Sequence, residues 1–341
     1  MSDLIFGIMS AGYSDKVVRQ LAQSLHPAPV VIHHDFSRYP QFRLDMPNAW
    51  IVPNAVRTGW GNWDFVQGIL RLIEHTLENF EFDHFQLLSP TCLPIQPLSA
   101  FRHHLAENPA DAHLDLVSLD DDPQALLEFA YRAFLPDNSL RQRLLLRSRL
   151  LALGHRPRRV NRSGLCISQP STDDRSSRWR FEAGLALARA ARHGWFGATP
   201  FNRRFLPYMS SVWFCARRPV CEHILRTARS PDRVEHFRRG RMIDEVFFAS
   251  IIGNSGADVG PMNHLINDFD EEGHPRFLTI NDLHRLAGSS RFFARKFPDD
   301  LDDPVRQQAL AWSGLAPQVD AAGPKPAPEA VPYSQSVAQD E

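Results

Sequence analysis

The sequence lacks several features that would assign it quickly to a class of protein. No apolar run approaches the roughly 20 residues that a membrane-spanning helix needs. The amino-terminal segment MSDLIFGIMSAGYSDK has neither a cationic region nor a long apolar one, so we expect no signal peptide. The four cysteines lie far apart and form no CxxC pair. Their spacing predicts neither a zinc site nor a disulfide framework and is typical of a reducing compartment.

An excess of charge of either sign is also missing. The chain of 341 residues has 38 Lys+Arg against 39 Asp+Glu, a formal net charge of −1. Such a balance argues against a protein dedicated to binding nucleic acid. Lysine itself is scarce, since it occurs only as Lys16, Lys296 and Lys325. A hydrophobic content of 43% is ordinary for a globular protein with a sizeable core.

The pattern of apolar residues predicts alternating strands and helices in the first third of the chain. Segments 4–9, 29–33 and 49–53 are short and apolar, as buried strands are. From Asn62 onward the apolar residues follow helical spacing as far as Phe80. A strand at 84–89, a helix at 98–108 and a strand at 113–119 complete the series. This order predicts an α/β fold with a mostly parallel sheet flanked by helices, whose ligands bind beyond the carboxyl ends of the strands.

The rest of the chain divides into three parts. Residues 121–205 do not continue the alternation, and we interpret them as an insertion or subdomain with a helix at 140–153. Its segment 141–162 contains eight arginines and no acidic residue. A strand at 208–218 and helices at 220–228 and 242–252 then resume the main domain, which we expect to span 1–300. Residues 304–341, with six prolines, are predicted to form a disordered tail.

Two acidic segments are candidate binding sites, and each has two interpretations. Asp35 ends the second strand in the sequence HHD, where it would accept a hydrogen bond from a nucleotide base or ribose, or else bond its own backbone. Adjacent histidines point to opposite faces of a strand, so we expect no metal there. The acids Asp120–Asp122 in LDDDP suit Mg²⁺ or Mn²⁺, but acids before a proline are also common in solvated turns.

Two further segments could supply catalytic chemistry. In IDEVFF, Asp244 and Glu245 start a helix among apolar residues. They are either helix-capping acids or, beside a cleft, a general base. In RFFARKF, Arg295 and Lys296 stand between phenylalanines. Cations held in this way suit a diphosphate, and the alternative is an amphipathic edge with solvated cations.

Several segments together, in their order along the chain, resemble one known family. They are VVIHHD (30–35), VRTGWGNWDFVQGILRLI (56–73), FDHFQLLSPTCLPIQPLSAF (82–101), SSVWFCARRPVCEHIL (210–225), IDEVFFASIIGNS (243–255) and LTINDLHRLAGSSRFFARKF (278–297). The chain resembles the core-2/I-branching β-1,6-N-acetylglucosaminyltransferases of glycosyltransferase family 14, which include peptide O-xylosyltransferases. The match spans most of 1–300 but not the insertion 121–205 or the tail.

The resemblance implies a GT-A-like, Rossmann-related fold and a particular chemistry. Members transfer a sugar from a UDP-sugar with inversion and without a metal, so neither a metal nor a further cofactor is expected. The family's general base falls on Glu245, and its two diphosphate-binding cations fall on Arg276 and Lys296. Its uracil-contacting aspartate falls on Asp35. Between Arg276 and the Asp-Leu pair that follows it, this chain is a few residues shorter than animal members. The match of Arg276 to the family's arginine therefore spans a difference in length.

Other residues and partners follow from the same interpretation. Arg295 would assist at the nucleotide, and Asp244 would bind the acceptor beside the base or serve as a helix cap. Trp213 would be either a platform for the acceptor sugar or part of the core. Unlike animal members, the chain has no amino-terminal anchor in its sequence, which predicts a bacterial-type enzyme of surface polysaccharide synthesis. We expect it in the cytoplasm, with a carbohydrate or lipid-linked glycan acceptor.

Three alternatives remain open on the sequence. The basic segment 141–162 either docks on an anionic membrane surface or packs on the body of the protein. The chain could be a non-catalytic glycan-binding or assembly subunit with the same fold. It could also be a metal-dependent glycosyltransferase that uses Asp120–Asp122.

Overall fold

The computed structural model describes residues 2–153, 158–160, 166–168, 175–260, 262–270 and 274–315. The strands are β1 (Ser2–Ala11), β2 (Val30–Asp35), β3 (Ala49–Ile51), β4 (Phe82–Leu88), β5 (Leu93–Pro94), β6 (Ala112–His113), β7 (Val117–Ser118), β8 (Arg158–Val160), β9 (Cys166–Ser168), β10 (Tyr208–Met209), β11 (Cys215–Arg217), β12 (Val259–Gly260), β13 (Leu265–Asn267) and β14 (Phe293–Arg295).

The helices are α1 (Asp15–Ser24), α2 (Trp63–Asn79), α3 (Leu98–Glu107), α4 (Pro123–Ala133), α5 (Leu140–Leu153), α6 (Arg175–Arg192), α7 (Arg218–Ala228), α8 (Pro231–Arg238), α9 (Asp244–Gly253), α10 (Leu283–Ala287) and α11 (Pro304–Trp312). A 3₁₀ turn at Ile280–Asp282 precedes α10. None of the helices in the part of the chain that the structure describes is both long enough and apolar enough to span a membrane.

A seven-stranded sheet forms the centre of the fold, in the order β12-β6-β11-β4-β1-β2-β3. Strands β3, β2, β1 and β4 are mutually parallel. β11 runs antiparallel between β4 and β6, and β12 is parallel to β6. The sheet is therefore mixed and mostly parallel, as predicted. Helix α2 packs on β1 and β2, and α7 packs on β4 and β11.

The strand order reverses direction at β1. From β1 the chain builds outward through β2 and β3, then returns to place β4 on the other side of β1. At such a switch point the loops after neighbouring strands diverge and leave a crevice at the carboxyl ends. The segments that follow β1, β2 and β4 meet at this edge, so the topology agrees with the predicted place of a ligand site.

Local sequence explains where the main helices begin. The side chain of Asn62 accepts hydrogen bonds from the backbone N–H groups of Asp64 and Phe65, which caps α2. α4 has the same device, because Asp122 accepts from Gln124 and Ala125 and Pro123 occupies the first helical position. The buried face of α2 includes Val66, Ile69, Leu72 and Ile73, which confirms the helical spacing predicted from Asn62.

The predicted insertion forms a layer of helices joined to the main core. Helices α4, α5 and α6 pack against one another, and Leu126, Phe129, Leu145 and Leu185 belong to the same buried cluster as the strands of the central sheet. The helix predicted at 140–153 is confirmed as α5. The basic segment 141–162 is described by the structure only in part, since residues 154–157, 161 and 162 lie outside the described residues.

Two sequence-based predictions need correction. The strands expected at 113–119 and 208–218 are each broken into two short pieces, of which β7 and β10 pair with each other outside the central sheet. The tail expected from residue 304 begins instead with α11, whose Val305, Arg306 and Ala309 are fully buried. The few apolar residues of this proline- and alanine-rich segment are enough to pack a helix against the core. The remainder of that tail, 316–341, lies outside the described residues.

Candidate active site

Asp35 lies at the carboxyl end of β2 with its carboxylate fully engaged by neighbouring groups. Its Oδ1 accepts from the Ser37 N–H (2.9 Å) and hydroxyl (2.6 Å), and its Oδ2 accepts from the Thr58 N–H (2.7 Å) and hydroxyl (3.1 Å). Burial works to raise the pKa of Asp35, but these hydrogen bonds outweigh it and lower that pKa. Asp35 is therefore ionised and joins two loops. Its bond to the Ser37 N–H is the local backbone hydrogen bond that was the second interpretation of this residue.

The loop after β3 connects Asp35 with the start of α9. Thr58 binds the Asp35 carboxylate, and three residues later the Gly61 carbonyl accepts a hydrogen bond from the Met242 N–H. Gly61 has a φ of 68°, a conformation that favours glycine. The loop thus places the end of β2 next to the helix that carries Glu245. Trp60 projects from the same loop and is 72% exposed.

Glu245 lies in the first turn of α9 and faces a cation from the insertion. One carboxylate oxygen is 3.5 Å from the Arg132 Nη1 on α4, and its side chain is 28% exposed. Burial raises the pKa of Glu245 to about 7; Arg132 opposes the shift and Asp244 adds to it. A carboxyl group with such a pKa can accept a proton at neutral pH and remain accessible to solvent. No local pattern in the sequence pointed to Arg132, because Glu245 is distant from it along the chain.

Arg132 is held rigidly in that position. Its Nε donates a 2.6 Å hydrogen bond to the Tyr131 hydroxyl, and its side chain is 17% exposed. Although burial favours the neutral form, Tyr131 and Glu245 stabilise the cation and raise the pKa of Arg132. A fixed cation beside the carboxylate orients it and keeps part of its population ionised.

Asp244 is the first residue of α9, whose N-cap is Ile243 with no side-chain cap hydrogen bond. Burial raises the pKa of Asp244, while the backbone N–H groups of Asp244 and Glu245 and the charge of Arg132 oppose this. The two adjacent acids therefore compete for one negative charge near Arg132. Asp244 thus acts on Glu245 electrostatically, and its acceptor-binding role stays a prediction.

Arg295 ends β14 and stacks on Trp213. Its guanidinium carbon lies 4.8 Å from the ring centroid, and its buried Nε has no hydrogen-bond partner. Burial lowers the pKa of Arg295, whereas Cys92 and Tyr13 nearby oppose the shift. No carboxylate among the described residues forms an ion pair with it. An unpaired, partly buried guanidinium is costly unless an anion joins it.

Trp213 belongs to the core in this arrangement. It is 6% exposed, with Arg295 over its ring and Phe65 at a centroid distance of 6.5 Å. The platform role offered for Trp213 is therefore corrected to the packing role, because the guanidinium covers the ring. The segment that carries Trp213 also contacts the base, since the Ser210 N–H donates to the Glu245 carbonyl at 3.1 Å. This segment links the acid and the cation.

Lys296 follows Arg295 and lies over another aromatic ring. Its Nζ is 4.3 Å from the centroid of Phe277, and its carbonyl accepts from the Leu278 N–H at 2.8 Å. Within the described ranges no acidic side chain forms an ion pair with Lys296. This lysine, like Arg295, keeps an uncompensated positive charge.

Arg276 is brought beside Lys296 but its charge is already neutralised. Its guanidinium binds the Asp282 carboxylate with both terminal nitrogens, at 3.0 and 2.5 Å, and also pairs with Asp268. These bonds raise the pKa of Arg276 and hold that of Asp282 well below its usual range. A diphosphate at Arg276 would therefore compete with the two carboxylates that already occupy the guanidinium, and the role carried over for Arg276 stays a prediction.

The acids of the LDDDP segment serve structural roles. Asp120 forms a two-pronged ion pair with Arg192, at 2.7 and 2.8 Å, and Asp122 caps α4. Asp121 is exposed. Two of the three carboxylates are thus committed to protein partners, which leaves this segment poorly suited to hold a metal ion.

One group of side chains that could ligate a metal was missed by sequence reasoning. His104, His113 and His264 offer ligand atoms that all lie within 4.8 Å of one another. Burial lowers the pKa of each of them, that of His113 to about 4. They lie 9 and 151 positions apart in the sequence, so no local spacing motif could have revealed them. His33 and His34, in contrast, bond the Val56 N–H and the Ser10 hydroxyl.

No protein-family profile matches the chain, and a search of curated proteins finds no significant match. The site's own geometry therefore carries the functional argument.

Proposed function

We propose that the chain is an inverting, metal-independent glycosyltransferase of the core-2/I-branching type with a GT-A-like fold. It would move N-acetylglucosamine, xylose or a related sugar from a UDP-sugar to a glycan hydroxyl, in the synthesis of a bacterial surface polysaccharide. The observation that carries the proposal is the pair of cations Arg295 and Lys296, which have no acidic partner in the described parts of the chain. Two such cations beside the crevice of an α/β sheet suit a nucleotide diphosphate.

The diphosphate would lie between the end of β1 and the end of β14. Tyr13 follows β1 and is close enough to Arg295 for their charges to interact. Directly after it, Ser14 forms the amino end of α1 without using its side chain as a cap. Backbone N–H groups at that end favour an anion. Arg295, Lys296 and α1 together would thus replace the metal ion that other transferases use.

Glu245 would act as the general base. In a single displacement the acceptor hydroxyl loses its proton to Glu245 while its oxygen forms a bond to the anomeric carbon of the donor. The bond from that carbon to the β-phosphate oxygen breaks, and UDP leaves with the electron pair. The raised pKa of Glu245 supports this role, because a binding module has no need of a proton acceptor.

The acceptor would approach past Trp60 in the loop that links Asp35 to α9. Its indole is largely exposed, and the Arg241 guanidinium lies 6.0 Å from its ring. A flat exposed indole suits the apolar face of a sugar ring. We infer a carbohydrate or lipid-linked acceptor and a place of action in the cytoplasm, at the inner face of the membrane.

The direct test is a donor screen with purified protein in EDTA. Thermal shift identifies the UDP-sugar that stabilises the chain, and UDP release with a glycan acceptor measures transfer. We expect stabilisation by UDP and by one or a few UDP-sugars, and turnover that survives EDTA. Failure of every UDP-sugar to bind would contradict the proposal. Activity lost in EDTA and restored by Mn²⁺ would favour a metal-dependent enzyme, and binding without turnover would favour an assembly subunit.

A further inference from the structure

The edge of the sheet near β6 carries a group of three histidines, two of them buried, that the proposed transfer does not use. His113 lies in β6, His264 directly precedes β13, and His104 lies in α3. His113 and His264 are 3% and 0% exposed, and the Nε2 atom of each has no hydrogen-bond partner in the structure. Their ring centroids are only 4.5 Å apart. Two buried, unpartnered ring nitrogens so close together are a costly arrangement for a protein core.

The hydrogen bonds of His264 determine which of its nitrogens carries the proton. The Gln86 amide group donates its Nε2–H to the carbonyls of Leu87 and Phe214, at 3.0 and 3.3 Å. The Gln86 Oε1 therefore faces His264 and accepts from its Nδ1–H at 3.1 Å. A neutral ring that donates from Nδ1 keeps a lone pair on Nε2. This is the arrangement by which a neighbouring oxygen orients a metal-binding histidine.

His113 is arranged in the same way. The backbone of Asn108 interacts with its ring, and because Nε2 is without a partner, Nδ1 is the nitrogen that faces Asn108. A Cβ atom on Gly260 would lie 2.7 Å from that Nδ1, so glycine provides the space for the ring. Both buried histidines thus present an Nε2 lone pair, and each is fixed by an oxygen on the far side of its ring.

His104 completes the group from the solvent side. Its ring is partly exposed, and its Nδ1 accepts only the long 3.2 Å hydrogen bond from the Asn108 amide. Beside it opens a cavity of about 310 Å³, lined by His104, His113 and Met262 among others. The cavity gives an ion a route from solvent and leaves room for a water ligand.

We propose that His104, His113 and His264 bind one divalent transition-metal ion of the zinc class, with water in the fourth position facing the cavity. Three neutral imidazoles suit Zn²⁺ better than Mg²⁺ or Ca²⁺, which prefer oxygen. Tetrahedral coordination at about 2.0–2.1 Å places ligand atoms about 3.4 Å apart. On binding, the ligand nitrogens must therefore move closer together than they are in the structure. Most of this movement would be made by the partly exposed His104, which would give up its hydrogen bond to Asn108.

The charges around the group have both signs, since Arg217 acts electrostatically on His113 and Arg291 acts on His264. Arg291 faces it but is paired with Asp115 at 3.5 Å, and the cavity wall includes Glu107 and Asp258. His264 adjoins the β13–β14 pair that carries Arg295, because its carbonyl accepts from the Phe292 and Phe293 N–H groups. The group nevertheless shares no residue with the proposed transfer site, and the inference does not rest on the proposed transfer activity.

The test is a zinc titration of the full chain after removal of metals with a chelator. With a chromophoric competitor for Zn²⁺, we expect one equivalent to bind at neutral pH. His104→Gln should weaken the affinity by about 100-fold or more, since loss of an outer-shell partner alone costs roughly 10–100-fold. This variant changes a partly exposed side chain, so the fold should persist, and circular dichroism verifies that.

The matched control is His103→Gln, which removes an exposed histidine paired with Glu107 from the same helix and should leave zinc affinity unchanged. Co²⁺ offers an independent readout, because tetrahedral coordination gives intense visible absorption bands that His104→Gln should abolish. Absence of stoichiometric Zn²⁺ binding by the wild-type chain would overturn the proposal. So would equal affinity in wild type and His104→Gln. Measuring the transfer activity of His104→Gln separates the effect of losing this zinc site from the effect of EDTA on the proposed transfer.

Discussion

At the residue scale, the raised pKa of Glu245 identifies the group on which the proposed chemistry depends. Glu245→Gln keeps the shape of the side chain and removes its ability to accept a proton. We expect transfer to fall by about 10²–10⁴-fold, the usual contribution of general base catalysis, with UDP affinity nearly unchanged. Steady-state kinetics and calorimetry measure the two quantities. Wild-type turnover in the variant would contradict the assignment of the base.

The pH dependence of transfer should report the same group. Glu245 must be ionised to accept a proton, so kcat/KM should rise with pH through the pKa of Glu245, which burial raises to about 7. Arg132 favours the carboxylate, so Arg132→Met should move this rising limb to higher pH. A profile unchanged in Arg132→Met would show that the limb belongs to another group.

The three arginine and lysine residues near β14 should differ in their contributions to UDP binding. Arg295→Ala and Lys296→Ala each remove a cation without an acidic partner among the described residues. A charge-assisted contact of about 1.5–3 kcal/mol implies roughly 10- to 150-fold weaker UDP binding. Arg276→Ala should have a much smaller effect, because Asp268 and Asp282 already neutralise that side chain. If calorimetry ranks Arg276 above the other two, the assignment of the diphosphate site is wrong.

At the scale of elements, helix α5 has two different faces. One packs on the body of the protein, and the other has the features of a surface that docks on a membrane. Leu145 and Arg149 are buried, and Arg149 pairs with Glu128, so this face packs on the body of the protein. Leu140, Leu144 and Leu151 are exposed, as are Arg143 and Arg147. Trp179 on α6 and Trp195 just after it are exposed too. Exposed leucines and tryptophans among arginines are typical of surfaces that lie on anionic membranes.

Co-sedimentation with vesicles tests that surface. We expect binding to anionic but not neutral vesicles, reduced by salt and by Arg143→Gln combined with Arg147→Gln, since each surface cation contributes about 1 kcal/mol. Arg149 is left intact because it is buried. Arg226→Gln with Arg229→Gln on the α7 side removes the same charge and should not reduce binding. If the protein does not sediment with anionic vesicles at low salt, α5 has only a structural role.

At the scale of the whole molecule, α11 secures the carboxyl-terminal part of the described chain to the first helix. Arg306 is fully buried. Its Nε donates to the Gln20 side chain on α1 at 2.8 Å, and its Nη1 donates to the Pro298 carbonyl at 2.8 Å. Val305, Ala309 and Leu310 bury their side chains on the same core. This helix belongs to the domain, not to the tail that follows it.

Two truncations test the role of α11. A chain ending at Asp303 should lose at least about 3 kcal/mol of unfolding free energy, because buried apolar side chains and a bonded arginine are removed. A chain ending at Leu315 should melt at the temperature of the full chain. Denaturation by heat and by urea measures both. Equal stability of the two truncated chains would show that α11 contributes nothing.

Local features of this protein could be predicted from the order of its residues alone. Short apolar segments predicted the strands that became β1, β2 and β4, and helical spacing predicted α2. These are properties of neighbouring residues, because strand and helix periods are set by backbone geometry over a few positions. The apolar residues that flank Glu245, Arg295 and Lys296 likewise indicated that these charged side chains are held in place.

The contacts of those residues, in contrast, depend on how distant segments fold together. The pairing of Glu245 with Arg132 and of Arg295 with Trp213 joins segments that are distant along the chain. The three histidines also converge only when β6, α3 and the segment before β13 meet at one sheet edge. Burial, charge compensation and pKa depend on all neighbours in space, and the order of strands that brings those neighbours together is not encoded in any local period.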